Sequence, residues 1–207
     1  VGSIVVHESD GDVVIDAGLG DFQAPHHLTH PSLGRMMGGQ NPGFFSSFKR
    51  PIKAIAVTHA HEDHLGWLRA DLGSQLSAGQ YFVGLPDADR FAHVTGIRNV
   101  STIRGGESLS AHVKAIATPG HTAGHMSYSI SSQGESAVVI GDVFHHHAQL
   151  KNPDLTPWSD EIPSVARKSR DEVLALLKNS GVIGIGGHFA DVVFGKWVDR
   201  EWIPVPS

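Results

Sequence analysis

The chain has 207 residues, of which 40% are apolar and 18% are charged, a composition typical of a globular protein rather than of a disordered one. Its formal net charge of -5 argues against a nucleic-acid partner, because phosphate binding favours a basic surface. Cysteine is absent, which excludes disulfides and thiolate ligands, whereas 15 histidines are scattered along the chain.

No repeat, linker or change of composition divides the chain, so we expect one domain covering residues 1–207. No apolar run approaches the roughly 20 residues that a membrane span requires. The N-terminal VGSIVV lacks the basic start and the apolar core of a signal peptide. We therefore expect a cytoplasmic protein that does not bind membranes. Because the chain starts with Val1 instead of Met, a processed protein that is secreted or periplasmic stays open.

The N-terminal part of the chain combines a predicted hairpin with a long loop. Two β-branched runs surround Asp10–Gly11, a typical two-residue hairpin turn. From Gly18 to Phe48 the sequence is rich in Gly, Pro, His, Met and Phe, and only Ser32–Gly38 favours a short helix. Loops of this length are usually functional. We expect this one to form the apolar wall of a substrate pocket, lined by Phe22, Met36, Met37 and Phe48.

Strands and helices alternate through the rest of the chain. Helices are predicted from His64 to about Leu72, from Pro86 onward, and over SVARKSRDEVLALLKNSG, which Gly181 ends. A second hairpin is predicted to turn near Gln133–Gly134. Further strands are predicted at IKAIAV, QYFVGL, NVSTI, VKAIAT and VIGIGG, followed by an extended tail. This order indicates an α/β sandwich with sheets inside and helices outside.

Four of the predicted strands end in the same way. The runs KAIAV, VKAIA, AVVI and GVIGIG each lead within a few residues to histidine or aspartate. The end of a strand holds a side chain more rigidly than a free loop does, and metal ligands need such accurate placement. The candidate ligands that follow these strands are His59, His61, Asp63, His64, His121, Asp142 and His188.

The densest group of candidates is the stretch THAHEDH at residues 58–64. Residues two apart in extended backbone point to the same side, so His59 and His61 can share one ion. Asp63 and His64 then turn towards a second ion. Imidazole and carboxylate groups are ordinary zinc ligands. Five histidines and two aspartates suit two ions that share a bridging aspartate and a bridging water.

The motifs HxHxDH, TPGHTAGH, a GD after a strand and a final GGH occur in this order, and together they resemble the metallo-β-lactamase superfamily. The resemblance begins at VVIDAG and implies a four-layer αβ/βα sandwich, with two mixed β-sheets, helices outside and a binuclear site at one edge. By this resemblance the first metal is held by His59, His61 and His121. The second is held by Asp63, His64 and His188, and Asp142 bridges both.

The same resemblance implies a metal-dependent hydrolase. Two divalent ions lower the pKa of the water between them, and the bridging hydroxide attacks a carbonyl carbon or a phosphorus atom. We expect Zn2+, with Mn2+, Co2+ and Fe2+ left open because mixed His/Asp sites accept several ions. Asp63 is expected to pass a proton to the leaving group. Asp16 and His125 are expected to support the ligand histidines through hydrogen bonds.

Two stretches, TPGHTAGHMSYSI and GDVFHHHAQLKNPD, resemble the branch that contains lactonases and methyl-parathion-hydrolase-like enzymes. N-acyl homoserine lactonases of this branch typically carry a tyrosine three residues after the bridging aspartate, where this chain has His145. The histidine favours ester and phosphotriester substrates. We expect it to donate a hydrogen bond to the developing oxyanion, and a plain surface histidine is the alternative.

We therefore expect a binuclear hydrolase of small esters, lactones or phosphotriesters that carry an apolar group. A β-lactam hydrolase and a glyoxalase II-like thioesterase are the alternative enzymes, although the metallo-β-lactamases proper carry Cys or Ser in place of Asp142. A metal-binding sensor is the alternative without catalysis. Aromatic residues on the surface leave a homodimer open.

Overall fold

The computed structural model describes residues 2–20, 49–69, 78–179 and 181–205. The first of its two sheets consists of β1 (Ile4–Glu8), β2 (Gly11–Ile15), β3 (Ile52–Ala56), β4 (Gln80–Gly84) and β5 (Ser101–Ile103). These strands lie in chain order. β1 is antiparallel to β2, and the other neighbours are parallel, so the sheet is mixed.

The second sheet consists of β6 (Val113–Ala117), β7 (Met126–Ser132), β8 (Glu135–Val139), β9 (Ile183–Ile185), β10 (Phe194–Val198) and β11 (Glu201–Pro204). Its strand order is β11-β10-β9-β8-β7-β6. Only β8 and β9 pair in parallel, so this sheet is mixed as well.

The α-helices of the described residues are α1 (Glu62–Leu65), α2 (Ala88–Thr95), α3 (Ala148–Lys151) and α4 (Pro163–Leu177). Short 3-10 turns occupy Gly66–Leu68, Leu85–Asp87, Gly141–Val143 and Ala190–Val192. Among the described residues, no helix has the length and apolar content that crossing a membrane requires.

Side-chain alternation along the strands creates three apolar layers. In β2, Val13 and Ile15 pack between the two sheets, whereas Val14 packs on the side covered by α1 and α2. All three are fully buried, and burial of each such side chain contributes roughly 1.5–3 kcal/mol. On the outer face of the second sheet, α4 packs through Val173 and Leu177. The layers follow in the order helix, sheet, sheet, helix, which confirms the predicted αβ/βα sandwich.

Both predicted hairpins are confirmed. β1 and β2 pair from Ile4–Ile15 to Glu8–Gly11, so the first turn is Ser9–Asp10, one residue before the predicted Asp10–Gly11, and Gly11 begins β2. β7 and β8 are joined at Gln133–Gly134, as predicted. Both residues of the second turn have positive φ, 52° and 85°, which is the geometry that matches the twist of the flanking strands.

The helix predicted from His64 begins two residues earlier, at Glu62. His61 has an extended backbone, with φ -85° and ψ 152°, and so ends the strand segment directly before the helix. Glu62 and Asp63 then lie in the first turn, where negative charge is favourable to the helix dipole. The α-helix ends at Leu65, a 3-10 turn follows to Leu68, and Arg69 has an extended backbone. The prediction of one helix from His64 to about Leu72 was therefore wrong, because the helix ends before Arg69; residues 70–77 lie outside the described part.

Two further predictions have different outcomes. The helix predicted from Pro86 begins at Ala88, because Pro86 lies in the preceding 3-10 turn. The long loop from Gly18 to Phe48, with its predicted helix at Ser32–Gly38, falls almost wholly on residues 21–48, which the structure does not describe.

The substitution Gly120→Ala tests how closely the loop after β6 packs on α4. Gly120 has φ +127°, and an added Cβ would lie 2.0 Å from the backbone nitrogen of Ala166. Gly134 has φ +85°, with nothing within 4 Å of an added Cβ, and is the matched control. Gly134→Ala should lower the free energy of unfolding by roughly 1–2 kcal/mol through backbone strain. Gly120→Ala should cost roughly 1–3 kcal/mol more through overpacking. Equal losses in urea denaturation would contradict this packing.

Candidate metal centre

The candidate ligands lie where strands of both sheets end. His59 and His61 follow β3, His121 follows β6, Asp142 follows β8 and His188 follows β9. Loops at the carboxyl ends of strands are common places for binding sites in α/β folds. Here the loops of four strands bring their side chains together at one edge of the sandwich.

The first group of side chains consists of three histidines. Nδ1 of His61 lies 3.0 Å from Nε2 of His59 and 3.0 Å from Nε2 of His121. Their rings meet edge to face, with centroids 4.5–4.7 Å apart. The nitrogen atoms are close enough for the three residues to hold one metal ion.

The second group consists of Asp63, His64, Asp142 and His188. Nε2 of His188 lies 3.3 Å from a carboxylate oxygen of Asp63 and 3.2 Å from one of Asp142. Nε2 of His64 lies 3.1 Å from the other oxygen of Asp142. Asp142 also approaches the first group, at 3.4 Å from Nε2 of His121. Its carboxylate therefore lies between the two groups.

Several of these atoms are buried without a hydrogen bond. Nε2 of His64, Oδ1 of Asp142 and Nε2 of His188 make none of normal geometry, although they lie close to one another. A buried polar atom without a partner costs about 1–3 kcal/mol. Atoms that converge on a shared point without bonding to each other are arranged as metal ligands are. Imidazole nitrogens with carboxylate oxygens are also a donor set that suits Zn2+ and similar divalent ions, so these residues fit such ions.

Burial and charge divide the histidines into two kinds. Burial holds the pKa of His59 well below its usual value and also lowers the pKa of His61. Burial acts in the same direction on His64, but the carboxylates of Asp142 and Asp16 outweigh it and raise the pKa of His64 well above its usual value. Burial is likewise outweighed at His188, where Asp142 and Asp63 raise the pKa to about 9.

The two carboxylates are held in their charged form. Burial favours the neutral acid, but His188, 3.3 Å away, and the nearby His64 lower the pKa of Asp63 to about 2. At Asp142 burial is outweighed by His64 and His59, which hold the pKa well below its usual value. Both residues are thus anionic at neutral pH.

Asp16 lies behind the histidine loop and contacts it through its carboxylate. Its carboxylate lies 2.8 Å from Nδ1 of His64 and accepts hydrogen bonds from the backbone N–H and the hydroxyl of Thr58 at 2.7 and 3.0 Å. Asp16 has a positive φ of 61°, an uncommon conformation that short polar side chains tolerate best. Such a strained backbone persists where surrounding contacts fix the residue, and the contacts with His64 and Thr58 fix Asp16.

His125 supports the backbone of Asp142 rather than a ligand ring. Its Nε2 accepts the N–H of Asp142 at 3.0 Å, so its Nδ1 donates to the hydroxyl of Thr118 at 2.8 Å. Burial lowers the pKa of His125 to about 3, which keeps the ring neutral and able to accept.

His145 lies inside the cluster, not on the open surface. Its Nε2 is 3.2 Å from Asp142 and 3.5 Å from the hydroxyl of Ser159, and its ring stacks on His188 at 5.3 Å. Its Nδ1 is buried without a hydrogen bond. With His121 and Asp142 it forms a third group able to hold a metal ion.

A cavity of about 440 Å³ opens over the cluster, and its described lining is His61, Glu62, Asp63, His121, Asp142, His145, Trp158, Ser159 and His188. Trp158 is the one large apolar side chain in this lining and is 87% exposed. The predicted pocket residues Phe22, Met36, Met37 and Phe48 lie outside the described residues.

Three buried residues near the cluster were missed by the sequence analysis. Asp87, after β4, accepts hydrogen bonds from the backbone of Ala60 at 3.1 Å and of Gly124 at 2.9 Å, and so joins two ligand loops. An aspartate soon after a strand could have marked Asp87 as a site residue. However, Leu85 and Pro86, which lie between β4 and Asp87, favoured the start of a helix instead. Asp160 lies 3.2 Å from Nδ1 of His121 and forms a salt bridge with Arg170, and no local spacing marks this pair.

No family model matches the chain. Among curated proteins, a hydroxyacylglutathione hydrolase of Thiobacillus denitrificans is 35% identical over 85 residues, which are 37% of this chain and 28% of that protein. The chain spans between 28% and 60% of the length of the curated relatives it matches.

Solved structures resemble the chain over nearly its whole length. A hydrolase called AbOPH, of the beta lactamase superfamily, matches with a TM-score of 0.77 and 22% identity, covering 98% of this chain and 78% of its own. AidC, a dizinc quorum-quenching lactonase in complex with a product, matches with a TM-score of 0.73 and 21% identity. The match covers 99% of this chain and 79% of the AidC chain. At such identities these likenesses show the fold. The chain therefore has the fold of the metallo-β-lactamase superfamily.

Proposed function

We propose that the protein is a hydrolase that uses two divalent metal ions. The observation that carries this proposal is the set of buried, unpartnered polar atoms of His64, Asp142 and His188, which lie beside a second cluster of three histidines. Similarity to a dizinc lactonase and to another superfamily hydrolase supports it.

We assign one ion to His59, His61 and His121. We assign the other to Asp63, His64 and His188, with Asp142 shared by both. Zinc is the preferred ion because imidazole and carboxylate groups dominate the set, and Mn2+, Co2+ and Fe2+ are the alternatives. When bound, such ions supply Lewis acidity and a water acidic enough to act as a nucleophile at neutral pH.

Two side chains handle protons and charge in this proposal. Asp63 is ionised at neutral pH and borders the cavity, so it can accept a proton and pass it to the leaving oxygen of the substrate. His145 also borders the cavity and donates a hydrogen bond to the substrate oxygen that gains charge.

The cavity suits a small substrate with an apolar group. Its volume of about 440 Å³ is that of a small-molecule site. Trp158 provides an exposed aromatic surface beside the ligands. Esters, lactones and phosphotriesters have the electrophilic carbon or phosphorus atom that the reaction needs.

A thioesterase is the second candidate. The 35% identity to a hydroxyacylglutathione hydrolase over 85 residues favours it. A panel of p-nitrophenyl esters, γ- and δ-lactones, paraoxon, a glutathione thioester and nitrocefin separates these classes, with zinc, manganese or cobalt added. Inactivity on every substrate in protein with two bound ions would favour a metal sensor instead.

The substitutions His121→Ala and Asp142→Ala should each lower kcat/KM on the best panel substrate at least ~100-fold, because each removes a metal ligand. Dialysis against a chelator should do the same to the wild type, and added zinc should restore turnover. His93→Ala, at an exposed histidine on α2, is the control and should retain wild-type activity. Full turnover in metal-free protein would refute the proposal.

The substitution Trp158→Ala tests the apolar contact. For p-nitrophenyl hexanoate we expect KM to rise about tenfold, since a buried aromatic contact is worth on the order of 1–2 kcal/mol. For p-nitrophenyl acetate, which is too short to cover the indole, we expect less than a twofold change. Steady-state kinetics on both esters measure the difference. An equal effect on both would show that Trp158 does not select for apolar groups.

Zinc binding should weaken as the pH falls. The raised pKa values of His64 and His188 mean that both carry protons in the metal-free protein at neutral pH, and an ion must displace them. The contribution of His188 to binding is therefore complete only above its pKa of about 9 and is lost towards lower pH, and the raised pKa of His64 acts in the same direction. Apparent affinity should fall roughly tenfold per pH unit for each displaced proton. Competition titrations between pH 6 and 9 measure this, and a flat profile would contradict it.

A further inference from the structure

A buried ion pair lies behind His121. The side chains of Asp160 and Arg170 are both 0% exposed, and they form a salt bridge. Asp160 precedes α4, whereas Arg170 lies in the buried stripe of that helix. A buried ion pair is weak evidence for stability, because removing two charges from water offsets most of their attraction.

The contact between Asp160 and His121 settles which nitrogen faces the cluster. Oδ1 of Asp160 lies 3.2 Å from Nδ1 of His121, and an ionised carboxylate only accepts hydrogen bonds. Nδ1 is therefore the protonated nitrogen. Nε2, at 3.0 Å from Nδ1 of His61, faces the first group of histidines and is the nitrogen that the neutral ring would offer to a metal ion. Such a carboxylate fixes the ring and makes the histidine a better donor to a metal.

Arg170 extends this contact to a second ligand loop. Its Nε donates to the carbonyl oxygen of Val143 at 3.2 Å, and Val143 directly follows Asp142. Its Nη1 donates to the carbonyl oxygen of Pro153 at 3.4 Å, and its Nη2 donates to Asp160. One guanidinium thus joins the loop of Asp142 to the carboxylate behind His121.

The other half of the cluster is built differently. Asp16 lies behind His64 at 2.8 Å, and its remaining hydrogen bonds come from the neutral groups of Thr58. At Asp160 the corresponding support comes from a cation. The rigid fork of arginine holds a carboxylate in a fixed orientation and compensates its buried charge.

We propose that Asp160 and Arg170 are positioning residues that set the metal affinity of the half-site formed by His59, His61 and His121. The inference rests on the proposed function, since it assumes that these histidines bind an ion. Asp160 orients the ring of His121. Arg170 fixes the position of Asp160 relative to the loop of Asp142, because it binds both. The half-site is then ordered before an ion arrives.

The test is zinc affinity, measured by competition with a chromophoric chelator, alongside the absorption spectrum of the cobalt form. Asp160→Asn keeps the shape of the side chain but removes its charge. We expect one of two zinc equivalents to bind about 10–100-fold more weakly, with a changed cobalt spectrum, and the other equivalent to be unaffected. Asp154→Asn, at a carboxylate 79% exposed in the same segment, is the control and should bind both ions as the wild type does.

A double variant separates positioning from stability. Asp160→Asn leaves the charge of Arg170 buried and unpaired, which destabilises the fold. Asp160→Leu combined with Arg170→Met removes both charges, so the melting temperature of the metal-free protein should return to the wild-type value or above it. We expect zinc affinity in this variant to stay 10–100-fold weaker at one equivalent.

Two outcomes would overturn the inference alone: wild-type affinity in Asp160→Asn, or recovery of affinity together with stability in the double variant. Each would show that the pair serves only the fold, while zinc binding by the wild type would leave the proposed function standing. Wild-type protein that binds no divalent ion would overturn the proposed function and this inference with it.

Discussion

The buried carboxylate of Asp142 is the constraint on which the rest of the site depends. Nitrogen atoms of five imidazoles lie 3.1–3.8 Å from its oxygens, and they belong to His59, His64, His121, His145 and His188. One of those oxygens still makes no hydrogen bond. At buried positions such a concentration of polar atoms is costly unless further charge compensates it. Two bound cations would supply that compensating charge. The surrounding loops are arranged so that they hold these polar atoms in place.

Three further aspartates hold the loops around that carboxylate. Asp16 fixes His64, Asp87 joins the loops that carry His61 and His121, and Asp160 fixes the ring of His121. Each aspartate comes from a different part of the chain. The rigid strand ends of the two sheets therefore bring the ligand residues close together. The carboxylates behind the histidines then fix the orientation of the ligand side chains. The cavity above the cluster is bordered by these ordered side chains, which suits the proposed hydrolysis without a nucleophile from the protein.

The sequence predicted the features whose determinants are local. Both hairpins and the convergence of strand ends could be predicted, because turn residues and ligand residues directly follow β-branched runs. Asp160 and Arg170 could not, since they meet only when α4 packs on the second sheet. Trp158 shows the same limit, because no pattern places a lone tryptophan beside a cavity. Asp87 carried a local signal, but Pro86 next to it favoured a helix start and concealed its role.

The zinc content of the wild-type protein tests the central claim most directly. The protein would be dialysed against buffered zinc and then against zinc-free buffer, and the bound metal would be measured by elemental analysis. The account predicts two zinc ions per chain, one for each cluster that shares Asp142. A value of zero would contradict the reading of these histidines and aspartates as metal ligands, and a value of one would contradict the binuclear site.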